Sequence, residues 1–454
     1  MSQNDNEDRI SALPDDILLQ ILERLEMRIA IQTGVLSTRW RHLPHRLSRL
    51  AMGIADVRGA SRVTLGQIME AYTEATRRLL STCEECGSRA IKSLSLTFYL
   101  TKTFLCSIGQ AVEDVVQNGD TECLEFVIFP HLARPSDAWL VSFGQRFMSF
   151  FHACPVAFRW LTRLSLQNLA FGDSDVPNLL SACDKLQFLH LRCCKVGRES
   201  VLKIDAPGSE LQTLEFVYFE CVRIELACVP KLRQVLCETW SSETTPLCCG
   251  FVPQLQEVSL VSAALSRQKP FALSNCLSTT GSLSTLCLDF CCQMIWIQPE
   301  VPNVLTPMFS NLRDVYIHNV FVECYLNWTL FILQAAPLLK NFYLSRHSCP
   351  PNKSEDIAKK ANLLWETPNF KHLNLKLLFM KGFSEEDEVM NYIRLVMERC
   401  VALKRIELRD KDPCKECKDI NPESLGFPLD ESSMLRVKEQ LTYGFSSYAE
   451  IIIR

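Results

Sequence analysis

One spacing of apolar and polar positions recurs along most of this 454-residue chain: apolar, two residues, apolar, one residue, apolar. Frames open at 161 (LTRLSL), 186 (LQFLHL), 211 (LQTLEF), 255 (LQEVSL), 283 (LSTLCL), 312 (LRDVYI), 339 (LKNFYL), 370 (FKHLNL) and 403 (LKRIEL). A degraded copy sits at 232 (LRQVLC), and further copies begin at Ile91 (IKSLSL) and Leu124 (LEFVIF). The alternation that closes each frame predicts a short strand with one face turned to a core. Nine steps from 161 to 403 cover 242 residues, about 27 per step, and individual steps run from 21 to 33. That spacing suits stacked repeats, in which neighbours bury what one repeat cannot. Pro230-Lys231-Leu232, Pro253-Gln254-Leu255 and Pro368-Asn369-Phe370 lead into frames at a point where a missing N–H does no harm. Stretches between frames, such as Val176–Lys185, have room for a helical turn or two on the outer face. Cys194 and Cys291 follow the last apolar strand position by three residues, where a side chain can bond the turn; Asn168 and Asn319 sit one residue earlier.

The pattern changes towards both ends. In residues 9–47 Pro14 suits the first turn of a helix, and Asp15 and Asp16 complement the positive end of its dipole. Ile17, Leu18, Ile21, Leu22 and Leu25 follow at helical spacing as one broad apolar face. Ser37 is placed to cap a further helix carrying Trp40, Leu43 and Leu47. Three short helices in about forty residues cannot bury a self-sufficient core, so apolar surface is expected to remain for a partner. After Phe370, two frames flank a helix that opens at Ser384 and Glu385–Glu388 and carries a stripe of Val389, Tyr392, Ile393, Val396 and Met397. A helix near Glu431–Leu441 and a strand ending Ile451-Ile452-Ile453 complete the chain.

Charge density supports this division: 23 charged residues in 1–87, 48 in 88–369 and 29 in 370–454. A net charge of -4 argues against a dedicated nucleic-acid binder. The 64 leucines and only 16 glycines argue for a large buried apolar surface. The first residues, MSQNDNED, lack the basic start and apolar run of a signal peptide, and no apolar stretch suffices to span a membrane. The 22 cysteines are therefore read as reduced thiols used as small hydrophobes in a cytoplasmic or nuclear protein, and Asn327 and Asn352 as unused glycosylation patterns. Cys83-x-x-Cys86 and Cys414-x-x-Cys417 have zinc-knuckle spacing but no second pair at a usual distance, so neither a metal nor a cofactor is expected. Cys193-Cys194, Cys248-Cys249 and Cys291-Cys292 would point to opposite faces of strands and could not chelate as pairs. No nucleotide-binding, hydrolase or metalloprotease motif occurs, and no catalytic residue is assigned.

Two resemblances give these patterns a meaning. The repeat length is similar to that of leucine-rich repeats. The amino-terminal segment resembles an F-box of the kind that heads plant F-box/leucine-rich-repeat proteins, through Asp8-Arg9-Ile10-Ser11, Leu13-Pro14-Asp15-Asp16-Ile17-Leu18, Ile21-Leu22, Val35-Leu36-Ser37 and Arg39-Trp40-Arg41. The region after Phe370 resembles the FBD-type module of such proteins. The resemblance implies an α/β chain: a three-helix F-box, then an irregular leucine-rich-repeat solenoid with parallel strands on its concave face and helices or loops on its convex face, closed by an α/β cap. The expected divisions are a disordered tail (1–8), the F-box (9–49), a helical connector (50–90), the repeats (91–369) and the FBD-like cap (370–454).

It further implies docking on the Skp-type adaptor of a cullin–RING ubiquitin ligase through Leu13, Pro14, Ile17, Leu18, Ile21, Leu22, Val35, Leu36, Trp40 and Leu43. Catalysis would belong to other subunits, with no membrane or nucleic-acid partner. Arg28, Ile29, Gly34 and Pro44 depart from the family pattern, and a weaker adaptor contact is expected from them. In each strand the residues between the apolar ones face away from the core, among them Arg163, Gln167, Glu215, Asp314 and Asn341. Phe188, His190, Arg192, Glu238, Asp289, Tyr316, His318 and Tyr343 form the expected substrate face, because aromatic and Arg side chains anchor interfaces. Two alternatives are a repeat scaffold with a weakened F-box and a small-molecule sensor. An anionic ligand would need convergent cations, and only Arg163, Arg192, Lys376 and Arg405 are available on the inferred face.

Overall fold

The computed structural model describes residues 10, 12–57, 64–81, 90–117, 120–197, 199–240, 242–243, 245–262, 269–292, 295–298, 300–347, 369–411, 427–428, 430–444 and 449–454. These fall into two compact units, Met1–Lys195 with Gly208–Leu211, and Val196–Pro207 with Gln212–Arg454. The tail at 1–8, Asn352 and both Cys-x-x-Cys pairs lie outside the described residues.

The first unit opens with three short helices, α1 (Asp15–Leu22), α2 (Met27–Gln32) and α3 (Thr38–His42). Pro14 stands at the N-cap of α1, one position before the first turn. Ser37 caps α3 as expected, its hydroxyl accepting from the Trp40 N–H at 3.3 Å. Five strands follow, β1 (Arg49–Gly53), β2 (Ser93–Tyr99), β3 (Cys123–Phe129), β4 (Arg163–Gln167) and β5 (Phe188–Arg192), each paired in parallel with the next. Residues 50–90 are thus no helical connector throughout. Leu50 and Met52 of β1 pair with Leu94 and Leu96 of β2, because Leu50-Ala51-Met52 already supplies the alternation of a strand. The copy read from Leu124 shifts by three: Thr121, Leu124 and Phe126 are the buried triplet.

Between these strands run α4 (Ile54–Val57), α5 (Leu65–Leu80), α6 (Lys102–Val116), α7 (Asp137–Ala153), α8 (Pro155–Trp160) and α9 (Asp175–Ala182). A reciprocal capping box between Thr64 and Gln67 starts α5. Phe98 and Phe126 of the sheet meet Phe150 and Phe158 of the helices, mostly edge to face, at centroid distances of 5.8–6.2 Å. Gly144 lets α7 approach the Ala170 carbonyl so closely that a Cβ there would stand 1.7 Å from its oxygen.

In the second unit the main sheet runs β7 (Thr213–Val217), β9 (Gln234–Glu238), β11 (Glu257–Val261), β12 (Thr285–Asp289), β13 (Asp314–Phe321), β14 (Asn341–His347), β15 (Leu377–Lys381), β16 (Arg405–Arg409) and β17 (Glu450–Ile453), all neighbours parallel. The remaining strands, β6 (Val201–Asp205), β8 (Arg223–Cys228) and β10 (Leu247–Phe251), form a separate parallel sheet. They stand in the chain where helices stand elsewhere. The sequence signal for them was alternation alone, as in Leu202-Lys203-Ile204 and Ile224-Glu225-Leu226, without the full frame. Further on, α10 (Leu273–Leu277), α11 (Pro302–Phe309), α12 (Leu330–Ala335), α13 (Asp387–Arg399) and α14 (Glu431–Thr442) return as backing elements. All five residues of the stripe expected on α13 are buried. The frame read at 370 is displaced by five residues: Leu373 is exposed, and Leu375, Leu378 and Met380 supply the inward triplet of β15.

Turns after several strands use a left-handed residue that is not glycine, at Asn168, Cys193, Tyr218 and Thr239, and Asn319 takes the same conformation at an irregularity within β13. The sheet ladder holds them there: the N–H groups of Tyr218 and Thr239 donate to the Glu238 and Val261 carbonyls at 2.8 and 2.7 Å. Cys194, at its expected turn position, donates its thiol to the Arg192 carbonyl at 3.3 Å. Among the three cysteine doublets only Cys248-Cys249 lies in a strand; the other two occupy these turns. The described cysteines are free thiols, and burial pushes Cys183, Cys194, Cys221, Cys249 and Cys400 up to about 12.

Candidate functional site

Two kinds of surface stand out, the apolar face of the amino-terminal helices and the open face of the strands in each unit. On the amino-terminal helices the apolar face divides. Leu18, Leu22, Trp40 and Leu43 are at most 3% exposed and form the small core with Met27, Ala30 and Leu47. They reach no surface and can support an adaptor contact only by holding the fold. Ile17, Ile21, Leu25, Ile29, Ile31, Val35 and Leu36 point outward, Val35 at 86% and Leu36 at 65% exposure. Leu13 is half-buried and Pro14 exposed. Ile29 and Ile31 joined this group because α2 turns only Met27 and Ala30, three residues apart, inward.

Polar contacts fix the geometry beneath. The Arg39 guanidinium donates to the Leu13 carbonyl at 2.7 Å and to Asp15 at 2.6 Å, and Arg46 reaches the same carboxylate at 2.5 Å. The hydrogen bonds from Arg39 and Arg46 hold the Asp15 carboxyl below the usual carboxylate range. Gly34 lies where a Cβ would approach the Arg41 Cα at 3.2 Å, so this departure from the family pattern lets α3 pack closely. Pro44 is buried in the short helical turn Leu43–Arg46.

The second surface is the open face of the strands. In the first unit Phe188, His190 and Arg192 stand side by side on β5, and the Arg163 guanidinium of β4 lies 4.0 Å over the Phe188 ring. In the second unit Tyr316 and Tyr343 pair across β13 and β14 and stack at 4.6 Å with a 5° interplanar angle. His318 stacks beside Tyr316 at 6.0 Å, and Phe379 extends the row at 5.8 Å from Tyr343. These rings, with Asn319, Ser345 and Lys381, line an open concavity of about 360 Å³. Desolvation lowers the His318 pKa, Asp289 opposing and Lys381 reinforcing the effect. Asp289, opposite His318 in the ladder, accepts from the Asn319 amide at 3.0 Å and from the Cys291 N–H at 2.8 Å. Glu238 lies on the same face, on β9. Phe379 and Lys381 were missed because the displaced frame at 370 put other residues in their place. Among the described residues no group of three His, Cys, Asp or Glu could hold a metal ion.

A family model described as "At1g61320/AtMIF1, LRR domain" matches residues 148–442, and an F-box domain model matches residues 10–50. The chain belongs to the F-box/leucine-rich-repeat family. One relative of this F-box/leucine-rich-repeat chain, F-box/LRR-repeat protein At3g03360 of Arabidopsis thaliana, is 28% identical over 41% of the chain, a match spanning 39% of that relative's length. F-box/FBD/LRR-repeat protein At3g51530 of the same plant is 27% identical over 86% of the chain and 83% of its own length. F-box/FBD/LRR-repeat protein At3g14710, also from Arabidopsis thaliana, is 22% identical over 90% of each chain. These long matches agree with an FBD-like module at the carboxy-terminal end. No helix among the described residues is long and apolar enough to cross a membrane.

Proposed function

We propose that this F-box/leucine-rich-repeat chain is the substrate-recognition subunit of an SCF-type ubiquitin ligase. The F-box (residues 9–49) docks on a Skp-type adaptor, and the open faces of the strands hold a protein for ubiquitin transfer by other subunits, in the cytoplasm or nucleus. The observation that carries this reading is the set of seven aliphatic side chains turned to solvent between Ile17 and Leu36, within the stretch that the F-box model matches. A helical unit that spends so much apolar surface on solvent gains by covering it. The chain's contribution would be proximity: a lysine held near the charged conjugating enzyme reacts at raised effective concentration.

Co-purification of the full chain with the adaptor tests this. Burying Val35 and Leu36 contributes roughly 1.5–3 kcal/mol each, so Val35→Asp with Leu36→Asp lowers adaptor affinity by about a hundredfold or more. Leu13→Ala with Pro14→Ala weakens the same contact from the start of α1. Undiminished adaptor binding in both double variants, from folded protein, would overturn the assignment of the docking surface.

A further inference from the structure

On the open face of the second unit, five strands in sheet order each carry one acidic residue: Glu215, Glu238, Glu257, Asp289 and Asp314 on β7, β9, β11, β12 and β13. None of these strands contains a Lys or Arg. Three of the carboxylates are held by neutral amides of neighbouring strands: Glu257 by Gln234 at 2.8 Å, Asp289 by Asn319 at 3.0 Å and Asp314 by Asn341 at 2.7 Å. An amide donor orients a carboxylate without cancelling its charge, so the negative field survives in a fixed geometry. Glu238, Glu257, Asp289 and Asp314 form no ion pair with described residues. Beyond them comes the stacked Tyr316–Tyr343 pair with Phe379, and then β16, where Arg405 and Arg409 are each paired with a carboxylate, Glu450 and Glu407.

We infer that this face docks a basic, extended polypeptide segment, its Arg or Lys side chains over the acidic strands and an adjoining apolar or aromatic residue on the Tyr316–Tyr343–Phe379 row. Charge complementarity identifies the occupant, since nucleic acid and acidic peptides are repelled by the five carboxylates. In register, four of the acids form two rows about 13 Å apart, Glu257 with Asp314 on the first rung and Glu238 with Asp289 on the last. Within each row the two acids stand two strands, about 10 Å, apart, a distance that roughly three residues of an extended segment span. Guanidinium groups also stack on aromatic faces, which suits the tyrosine pair at the border. The inference rests on the receptor reading above only in calling the docked segment a substrate.

The test uses the full chain and an immobilised positional-scanning library of twelve-residue peptides. Expected is enrichment of Arg and Lys at two or three alternate positions, next to one position selecting an aromatic or aliphatic residue. A selected peptide synthesised singly binds at least about tenfold more weakly to the Glu257→Gln, Asp289→Asn, Asp314→Asn variant. It also binds more weakly to the unmodified chain as salt rises to about 0.5 M. Absence of enrichment, enrichment of Asp or Glu, or indifference to both the triple variant and salt would overturn the inference. Adaptor co-purification from the same preparation separates the two readings. Adaptor binding without basic selection sinks this inference alone, and basic selection without adaptor binding sinks the receptor reading alone.

Discussion

At the first outward position of β4 stands Arg163, and at the same position of β13 stands Asp314; at the last outward position of β5 stands Arg192, and at that of β12, Asp289. Backbone and inward residues are alike in the two stretches, since Leu164, Leu166, Leu189 and Leu191 are as fully buried as Leu286, Leu288, Val315 and Ile317. The outward charges differ in sign and in how they are held. Arg163 has Glu125 at 3.3 Å and an aromatic ring beneath it, whereas Asp289 and Asp314 are braced by uncharged amides. Packing dictates what points inward and leaves the outward positions free, so recognition can diverge between the units while the architecture stays constant.

The largest effect should come from what the two stretches share. Leu166→Ala in β4 and Leu288→Ala in β12 each remove a fully buried side chain and should each cost about 2–5 kcal/mol. Urea titration of the two variants checks this, and very unequal losses would break the equivalence of the two cores. A smaller effect distinguishes the second unit. There the buried His372 accepts from the Asn374 and Leu375 N–H groups at Nδ1, at 3.2 and 3.0 Å, and its Nε2–H donates to the Ala336 carbonyl at 2.9 Å. Desolvation lowers its pKa below the ordinary 6.5. As pH falls through 6.5 the unfolded chain takes up the proton first, so the histidine's contribution is complete above that value and lost below it. His372→Leu leaves two N–H groups without an acceptor and should cost about 1–3 kcal/mol. The same variant should flatten the fall of the urea midpoint on acidification, and an unchanged pH profile would refute this role. Smallest of all, Arg163→Gln should cost no more than about 1 kcal/mol. Glu257→Gln should cost nothing, because it relieves repulsion among uncompensated acids; paired thermal melts compare the two.

What could be read in the sequence follows the same division. Inward positions repeat because burial demands it, so the frames at 161, 186, 211, 232, 255, 283, 312, 339 and 403 became strands in register. The frame at 370 misled because Leu373, Leu375, Leu377 and Leu378 offer two overlapping phases, and the choice between them is made by pairing with β14. β6, β8 and β10 escaped notice because a five- or six-residue alternation without the leading Leu looks like a loop. At the amino-terminal helices the F-box was legible from residue order, but which apolar residues stay outside was not. That depends on crossings that bury Leu18 and Leu22 beside Trp40 and leave Val35 in water. The acidic file needed the sheet order, since its five members are spread over 100 positions, from 215 to 314.

The buried thiols carry a consequence for how the molecule can be watched. Sulfur reacts as thiolate, and groups held near 12 are almost wholly protonated and sealed from reagent at neutral pH. Cys183 and Cys194 in the first unit, and Cys221, Cys249 and Cys400 in the second, are therefore timers set at separate points along the chain, mostly where helices and turns meet the sheets. Each is modified only as often as its own surroundings open. Followed residue by residue in a mass spectrometer, the order in which they take up an alkylating label would trace the sequence of openings along the sheets, with no foreign dye or introduced cysteine.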